Sequence, residues 1–203
     1  MMVATHPASS VTAADVPVSR LDNNSLIVRL HYTVNHLSRW LTPVHNRALL
    51  ERSVFRGEPS IKQLLLELRD EELIVFPKMH LIATQPDPDL DKLPPVTRGA
   101  QEERWESFAS ALSVMAEFRR LRQSTLSLLR SLPDNAWHRF GTSRTEHDWV
   151  LRDLAELLAN HDVQVLSRID QTLDKIGARD GLSPAARTHL DELLRLTPVK
   201  LRS

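Results

Sequence analysis

The residues able to do chemistry gather in two places, and the first is a histidine near the C-terminal end. His161 stands in the apolar series Val150, Leu154, Leu157, His161, Val165, Ile169, Leu173, Ile176. Steps of three and four place these residues on one helical face, so the spacing points His161 inward among aliphatic neighbours. An inward histidine on such a helix is either a core residue with a hydrogen-bond partner or a metal ligand, and the pattern leaves both open. The natural co-ligand would stand at i+4 on the same face. That position is Val165, which has no donor atom.

The second place is an acid inside an apolar seam. The series Ile61, Leu65, Leu68, Glu72, Val75, Met79, Ile82 alternates steps of four and three, as a bundle seam does. A carboxylate rarely enters a core unpaired, so a cation should meet Glu72. Arg122 is the best candidate, because it also falls on an inward stripe. Such a buried pair either specifies packing or takes part in function. The other histidines are less informative. His147 opens the last long helix beside Asp148, whose charge suits a helix N-terminus. His31, His36, His45, His80, His138 and His189 have no partner at metal spacing and read as surface or boundary residues. Trp40 and Trp137 read as core or loop anchors, while Trp105 and Trp149 either do the same or line a pocket or dimer face.

These residues must be held by helices. Residues 1–22 show no sustained period and read as a flexible extension. Asn23, Asn24 or Ser25 can cap a helix with the stripe Leu26, Leu30, Val34, Leu37, Leu41, which stops at Thr42-Pro43. Ser60-Ile61-Lys62-Gln63 has the form of a capping box at the head of a second helix. Residues 85–99, with Pro86, Pro88, Pro94 and Pro95, form a crossover loop. A third helix carries Trp105, Phe108, Leu112, Met115, Arg119 or Arg122, Leu126 and Leu129, and ends at Pro133. A fourth stops at Gly177. Ser183-Pro184 starts a short last helix, with Ser183 as cap and Pro184 at the first helical position. No strand pattern appears. The spacing therefore predicts an all-α fold, a four-helix bundle with helices near 25–41, 60–84, 101–131 and 147–176. The bundle would occupy 23–180, and 181–203 would be a C-terminal helix and tail. The long loop between helices 2 and 3 permits parallel neighbours.

Composition narrows the function. In 203 residues, Lys plus Arg and Asp plus Glu are equal at 26 each, so no basic field draws the chain to nucleic acid. No apolar run is long enough to span a bilayer. Cysteine is absent, which excludes disulfides, thiol nucleophiles and thiolate-ligated metals. None of the 5 glycines sits in a phosphate-cradling loop. The N-terminus lacks a basic start followed by an apolar core, and a cytoplasmic location is expected.

Three stretches, in order, resemble the DinB-like (YfiT-like) four-helix bundle superfamily. Gly57-Glu58-Pro59-Ser60-Ile61, leading to Glu67-Leu68-Arg69-Asp70-Glu71-Glu72, is similar to the family's G-x-W-S start and later H-L-x-D-x-E. Leu132-Pro133 through Trp137-His138-Arg139 is similar to its L-P-x-x-x-W-x-R. Leu154 to His161-Asp162 is similar to its last helix with H-D-x-x-H. The resemblance spans roughly 25–176. It implies a metal triad whose positions fall on Glu67, His161 and Val165. Of its histidines only His161 is retained, Glu67 offers a carboxylate, and Val165 offers nothing, so the triad is degenerate. A catalytic metal site normally keeps three protein ligands.

Two functions follow from the resemblance. One is a metal-poor or metal-free relative that binds a small molecule or acts in stress response. The other is a metal-dependent hydrolase or low-molecular-weight thiol transferase. It would hold a divalent Zn, Ni, Fe or Mn ion at His161 and Glu67, with Asp70, Glu71 or water as third donor. A homodimer is expected from family habit and from surplus apolar residues on the first and last helices.

Overall fold

Four long helices enclose two apolar clusters with a layer of buried charged residues between them. The computed structural model describes residues 16–202. Its helices are α1 (Asn23–Leu41), α2 (Ile61–Thr84), α3 (Ala100–Phe108), α4 (Ala111–Ser131), α5 (Leu151–Lys175), α6 (Pro184–Arg187) and α7 (Leu190–Leu196). The bundle consists of α1, α2, α4 and α5. Helix α2 packs on α4 and α5, and α1 packs on the same two, so α1 and α2 stand at opposite corners.

The cross-helix contacts give the directions. Arg69–Glu117 and Arg122–Glu72 advance together along α2 and α4, so these two run parallel. Thr33–Asp162 and Asn23–Arg152 do the same for α1 and α5. Glu67–Arg168 and Glu58–Lys175 run in opposite senses, so α2 and α5 are antiparallel. The parallel α2–α4 pair requires a connection as long as the helices, which the crossover and α3 supply.

Helix starts follow local chemistry. At α2 the Ser60 N–H donates to Gln63 Oε1 at 2.8 Å and the Gln63 N–H to Ser60 Oγ at 3.3 Å, a complete capping box. At α1 the cap is Asp22 rather than Asn23, Asn24 or Ser25: the Ser25 N–H donates to Asp22 Oδ1 at 2.7 Å. The single third helix expected over 101–131 is two. Ser110 accepts from the Ser113 N–H at 3.2 Å and restarts the chain as α4. The restart resets the helical phase. Ala111, Val114, Phe118 and Arg122 are buried, Leu112 and Met115 are half-buried at the edge of the same cluster, and Arg119 is exposed. Helix α3 buries none of its residues.

The last long helix starts at Leu151, not 147. Trp149–Val150 (β2) pairs antiparallel with Phe140–Gly141 (β1), a two-residue ladder that corrects the expectation of no strand. Gly141 is required there, since a Cβ at this position would stand 2.9 Å from the Leu90 side chain and 3.0 Å from Ile82. The expected flexible extension over 1–22 is corrected for 16–22, while 1–15 lie outside the described residues. Val16, Val18 and Leu21 are buried, and Leu21 bridges to Leu201. The Asp22 N–H donates to the Lys200 carbonyl at 3.0 Å, tying the segment to the C-terminal tail.

One apolar cluster includes Leu37, Trp40, Leu41, Ile61, Leu65, Leu68, Phe118, Val165 and Ile169. The other includes Leu26, Leu30, Val75, Met79, Ile82, Leu126, Leu129, Trp137, Leu154 and Leu158. Exposed large apolar side chains, among them Phe55, Ile74, Trp105 and Phe108, lie outside α1 and α5. Among the described residues no helix is long and apolar enough to cross a membrane.

His36, read from sequence as a surface or boundary residue, is buried on α1 between the Tyr32 ring at 5.7 Å and the Trp40 ring at 6.3 Å. Burial, then the nearby Arg39 and Arg29, lower its pKa from 6.5 to about 4. The unfolded chain therefore takes up this proton first as pH falls, so stability is lost between about pH 6.5 and pH 4. Denaturant unfolding at pH 7 and pH 4.5 should show a loss of roughly 2–3 kcal/mol in the wild type that His36→Phe does not show. Equal pH slopes in both proteins would contradict this.

Candidate functional site

The charged layer forms where each long helix interrupts its apolar stripe. Thr33 on α1, Glu72 on α2, Arg122 and Thr125 on α4 and Asp162 on α5 are all buried. Glu72 meets Arg122, whose Nε donates to Glu72 Oε2 at 2.9 Å. The guanidinium goes further than the sequence indicated. Its Nη1 and Nη2 donate to Asp162 at 2.5 and 2.9 Å, and Nη1 also donates to the Leu30 carbonyl at 3.1 Å. The Thr125 hydroxyl donates to Glu72, and the Thr33 hydroxyl to Asp162 Oδ2 at 2.7 Å. Phe118 covers the guanidinium, with 4.9 Å from Cζ to the ring centre.

Burial opposes the charge on Arg122, but Asp162 and Glu72 more than offset it and raise its pKa above the ordinary arginine value. Arg29 is buried nearby. Desolvation lowers its pKa, against the attraction of Asp162. Two guanidiniums and two carboxylates thus balance inside the bundle. The sequence reading missed Asp162. The signal was its place one turn after Leu158 and one turn before Leu166, an inward position on a phase one residue away from the His161 stripe.

His161 consequently sits at the edge of the core and not at its centre; it is half-buried and lines a groove with Gln63, Leu66, Glu67, Asp70, Glu71, Ile74 and Arg98. The groove has a volume of about 450 Å³. His161 Nε2 stands 3.7 Å from Glu67 Oε1. The inferred third position, Val165, is fully buried in the apolar cluster below. Arg168, two turns after His161, takes hold of Glu67: its Nη1 donates to both carboxylate oxygens, at 2.7 and 2.8 Å. Asp70 is likewise taken, by Arg69 at 2.6 Å and by Arg98. Glu71 lines the groove with no ion pair or hydrogen bond among the described residues.

Arg69 is a second fully buried guanidinium. It holds Asp70 and Glu106, reaches Glu117 at 3.4 Å and Glu102 at 3.8 Å, and lies 5.9 Å from the Trp105 ring centre. Helix α3, which buries no side chain, is fastened to the bundle through this ion cluster. His147 is exposed, and its ring lies 4.0 Å from that of Trp149.

A divalent metal fits this corner poorly. The corner offers one imidazole; its Glu67 is already neutralised by Arg168 and its Asp70 by Arg69 and Arg98, position 165 is aliphatic, and Glu71 is left to complete a site. Among the described residues no group of three or more His, Asp or Glu side chains is placed to hold a metal ion. A stable site needs three protein donors, and a fixed cation at one of two repels a second.

A four-helix bundle with α2 and α4 parallel, an ionic central layer and a groove between α2 and α5 defines the class of protein. A sequence model of the DinB superfamily matches residues 29–166, and the chain belongs to that superfamily. Its structure is similar to that of YfiT from Bacillus subtilis, described as a probable metal-dependent hydrolase with an unusual four-helix bundle topology. The TM-score is 0.63 at 18% identity, over 85% of this chain and 94% of that chain. That likeness shows the fold. No curated protein sequence matches the chain significantly.

The ionic layer sets an expectation for stability. Glu72→Ala leaves Arg122 one carboxylate short, and Asp162→Ala leaves both Arg122 and Arg29 short. Each should cost roughly 3–5 kcal/mol in chemical denaturation. A loss below about 1 kcal/mol, the range of exposed ion pairs, would show that the layer is hydrated.

Proposed function

We propose that the chain is a small-molecule-binding member of the DinB superfamily whose groove beside His161 works without a resident divalent metal. The observation that carries this reading is the Arg168–Glu67 pair. The guanidinium already neutralises the one carboxylate that would join His161 in holding a cation. The groove retains what a ligand site requires: concavity, apolar wall at Leu66 and Ile74, and a few polar groups at His161, Glu71 and Gln63. Glu71, whose carboxylate has no partner among the described residues, is the group there most available to a ligand. In this reading His161 and Glu67 fasten α2 to α5 and shape the groove wall.

The competing reading is the one that YfiT's description suggests, a metal-dependent hydrolase. It would place a metal at His161 and Glu67 with Asp70, Glu71 or water as third donor, although among the described residues no group of three or more such side chains is placed to hold one. Elemental analysis of protein purified without chelator separates the two. Zinc, nickel, iron and manganese should each be far below one equivalent, and titration with Zn²⁺ should show no saturable site tighter than about 0.1 mM. Stoichiometric metal lost on His161→Ala would overturn the proposal. Ligand binding is tested by a thermal-shift screen of small metabolites. Any compound that raises the melting temperature of the wild type should lose that effect in Ile74→Lys and in Glu71→Gln.

Restoration provides a second test. Val165→His alone should gain little, because Arg168 still holds Glu67. Val165→His combined with Arg168→Ala supplies two imidazoles and a released carboxylate, and Zn²⁺ affinity should rise by orders of magnitude over either single variant. Equal affinity in the single and double variants would show that Arg168 does not compete with the metal.

A further inference from the structure

A second cleft opens directly beside the first. It has a volume of about 390 Å³ and is lined by Ser53, Gly57, Glu58, Pro59, Gln63, Glu67 and Arg168. Gln63 and Glu67 line both cavities, so the two are neighbours along α2. Gly57, at φ +91°, turns the connecting loop that forms the outer wall.

The hydrogen-bonding inventory of this cleft is one-sided. Its acceptors are occupied. Both oxygens of Glu67 accept from Arg168 Nη1, and both oxygens of Glu58 accept from Lys175 Nζ, at 3.3 and 3.5 Å. Its donors are not. Arg168 uses only Nη1, and its Nε and Nη2 carry no hydrogen bond among the described residues. Gln63 spends Oε1 on the capping box, and its Nε2 amide has no partner among the described residues. Among the same residues the Ser53 hydroxyl has none. A guanidinium held by one carboxylate through Nη1 retains the Nε–Nη2 edge, the edge that matches a planar carboxylate with two parallel bonds. The two carboxylates are balanced by Arg168 and Lys175, so an arriving anion meets no uncompensated negative charge.

We propose that this cleft is an oxyanion subsite that takes the carboxylate of a small organic acid, with Arg168 as anchor and Gln63 and Ser53 as flanking donors. The proposal rests on the small-molecule reading above and names the acidic end of its ligand. The rest of the molecule would extend along α2 toward Leu66 and Ile74 in the adjoining groove. Glu67 is a positioning residue here: it orients the guanidinium and touches no ligand.

The test is a titration of isotope-labelled full-length protein, passed over a metal-scavenging resin, with succinate, with inorganic phosphate and with chloride at fixed ionic strength. The resonances followed are the Arg168 Nε–H and the Gln63 side-chain amide. Succinate should shift both along one saturating curve, and chloride should not. Arg168→Lys keeps the charge on an exposed side chain but loses the fork, and should weaken succinate binding by about tenfold or more while leaving the melting temperature unchanged. Glu67→Gln should change the Arg168 resonance before any ligand is added. Saturation by phosphate in preference to succinate would overturn the carboxylate assignment. No saturation by either anion, or undiminished binding in Arg168→Lys, would overturn the subsite. Stoichiometric zinc in the untreated protein together with saturable succinate binding would overturn the metal-free reading alone, so the two failures are distinguishable.

Discussion

Arg122, held between Glu72 and Asp162 at the centre of the bundle, is the constraint that the rest of the structure obeys. A guanidinium with no solvent exposure is tolerable only if each carboxylate reaches it in hydrogen-bonding geometry. That condition fixes α2, α4 and α5 in register at one level, and the Leu30 carbonyl with Thr33 brings α1 to the same level. Sliding any helix by a turn would leave a buried charge unpaired. Apolar packing is non-directional and would accept several registers, whereas the ionic layer accepts one. The two apolar clusters above and below then follow from the stripes on either side.

The layer also explains the position of His161. Helix α5 directs Asp162 to the centre because Arg122 is there. The preceding residue is thereby rotated by about a hundred degrees, to the boundary. There it lines a groove between α2 and α5 instead of filling the core. The same rotation places Arg168 over Glu67, whose two carboxylate oxygens it holds. The corner that the family resemblance assigns to a metal thus contains a cation supplied by the chain itself, on a flexible side chain that cannot act as a Lewis acid. Its Nε–Nη2 edge carries no hydrogen bond among the described residues.

Helix α3 illustrates a different way of attaching an element. It buries no side chain and is fastened through its Glu102 and Glu106, which meet Arg69 of α2, while Arg98 pairs with Asp70 of α2. The exposed part of such an ionic attachment is screened by salt, which does not screen apolar burial. Arg98 belongs both to this fastening and to the groove wall beside His161, which couples the crossover to the groove.

Much of this was legible in the sequence, for reasons that can be named. Periodicity set the four helix faces, because burial on a helix demands steps of three and four. The capping box at Ser60 was visible because its hydrogen bonds are local. Glu72 announced a buried cation because no acid enters a seam alone, and Arg122 was the inward arginine that could answer. Other features depend on partners distant in sequence, and only the tertiary structure decided them. Asp162 and His161 are adjacent in sequence, and both fit a helical stripe within one residue of phase; the choice between centre and edge belonged to Arg122, forty residues away. The break at Ser110 draws on Glu51, which accepts from the Ala111 N–H at 2.7 Å, and the short ladder pairs Phe140 with Val150. The burial of 16–22 depends on the C-terminal tail. Arg168 reads as a surface residue until the fold sets Glu67 opposite it. The sequence alone determined the bundle and the aliphatic side chain at position 165; the tertiary structure determined that a guanidinium stands over Glu67, because an ion pair between helices exists only once their register is set.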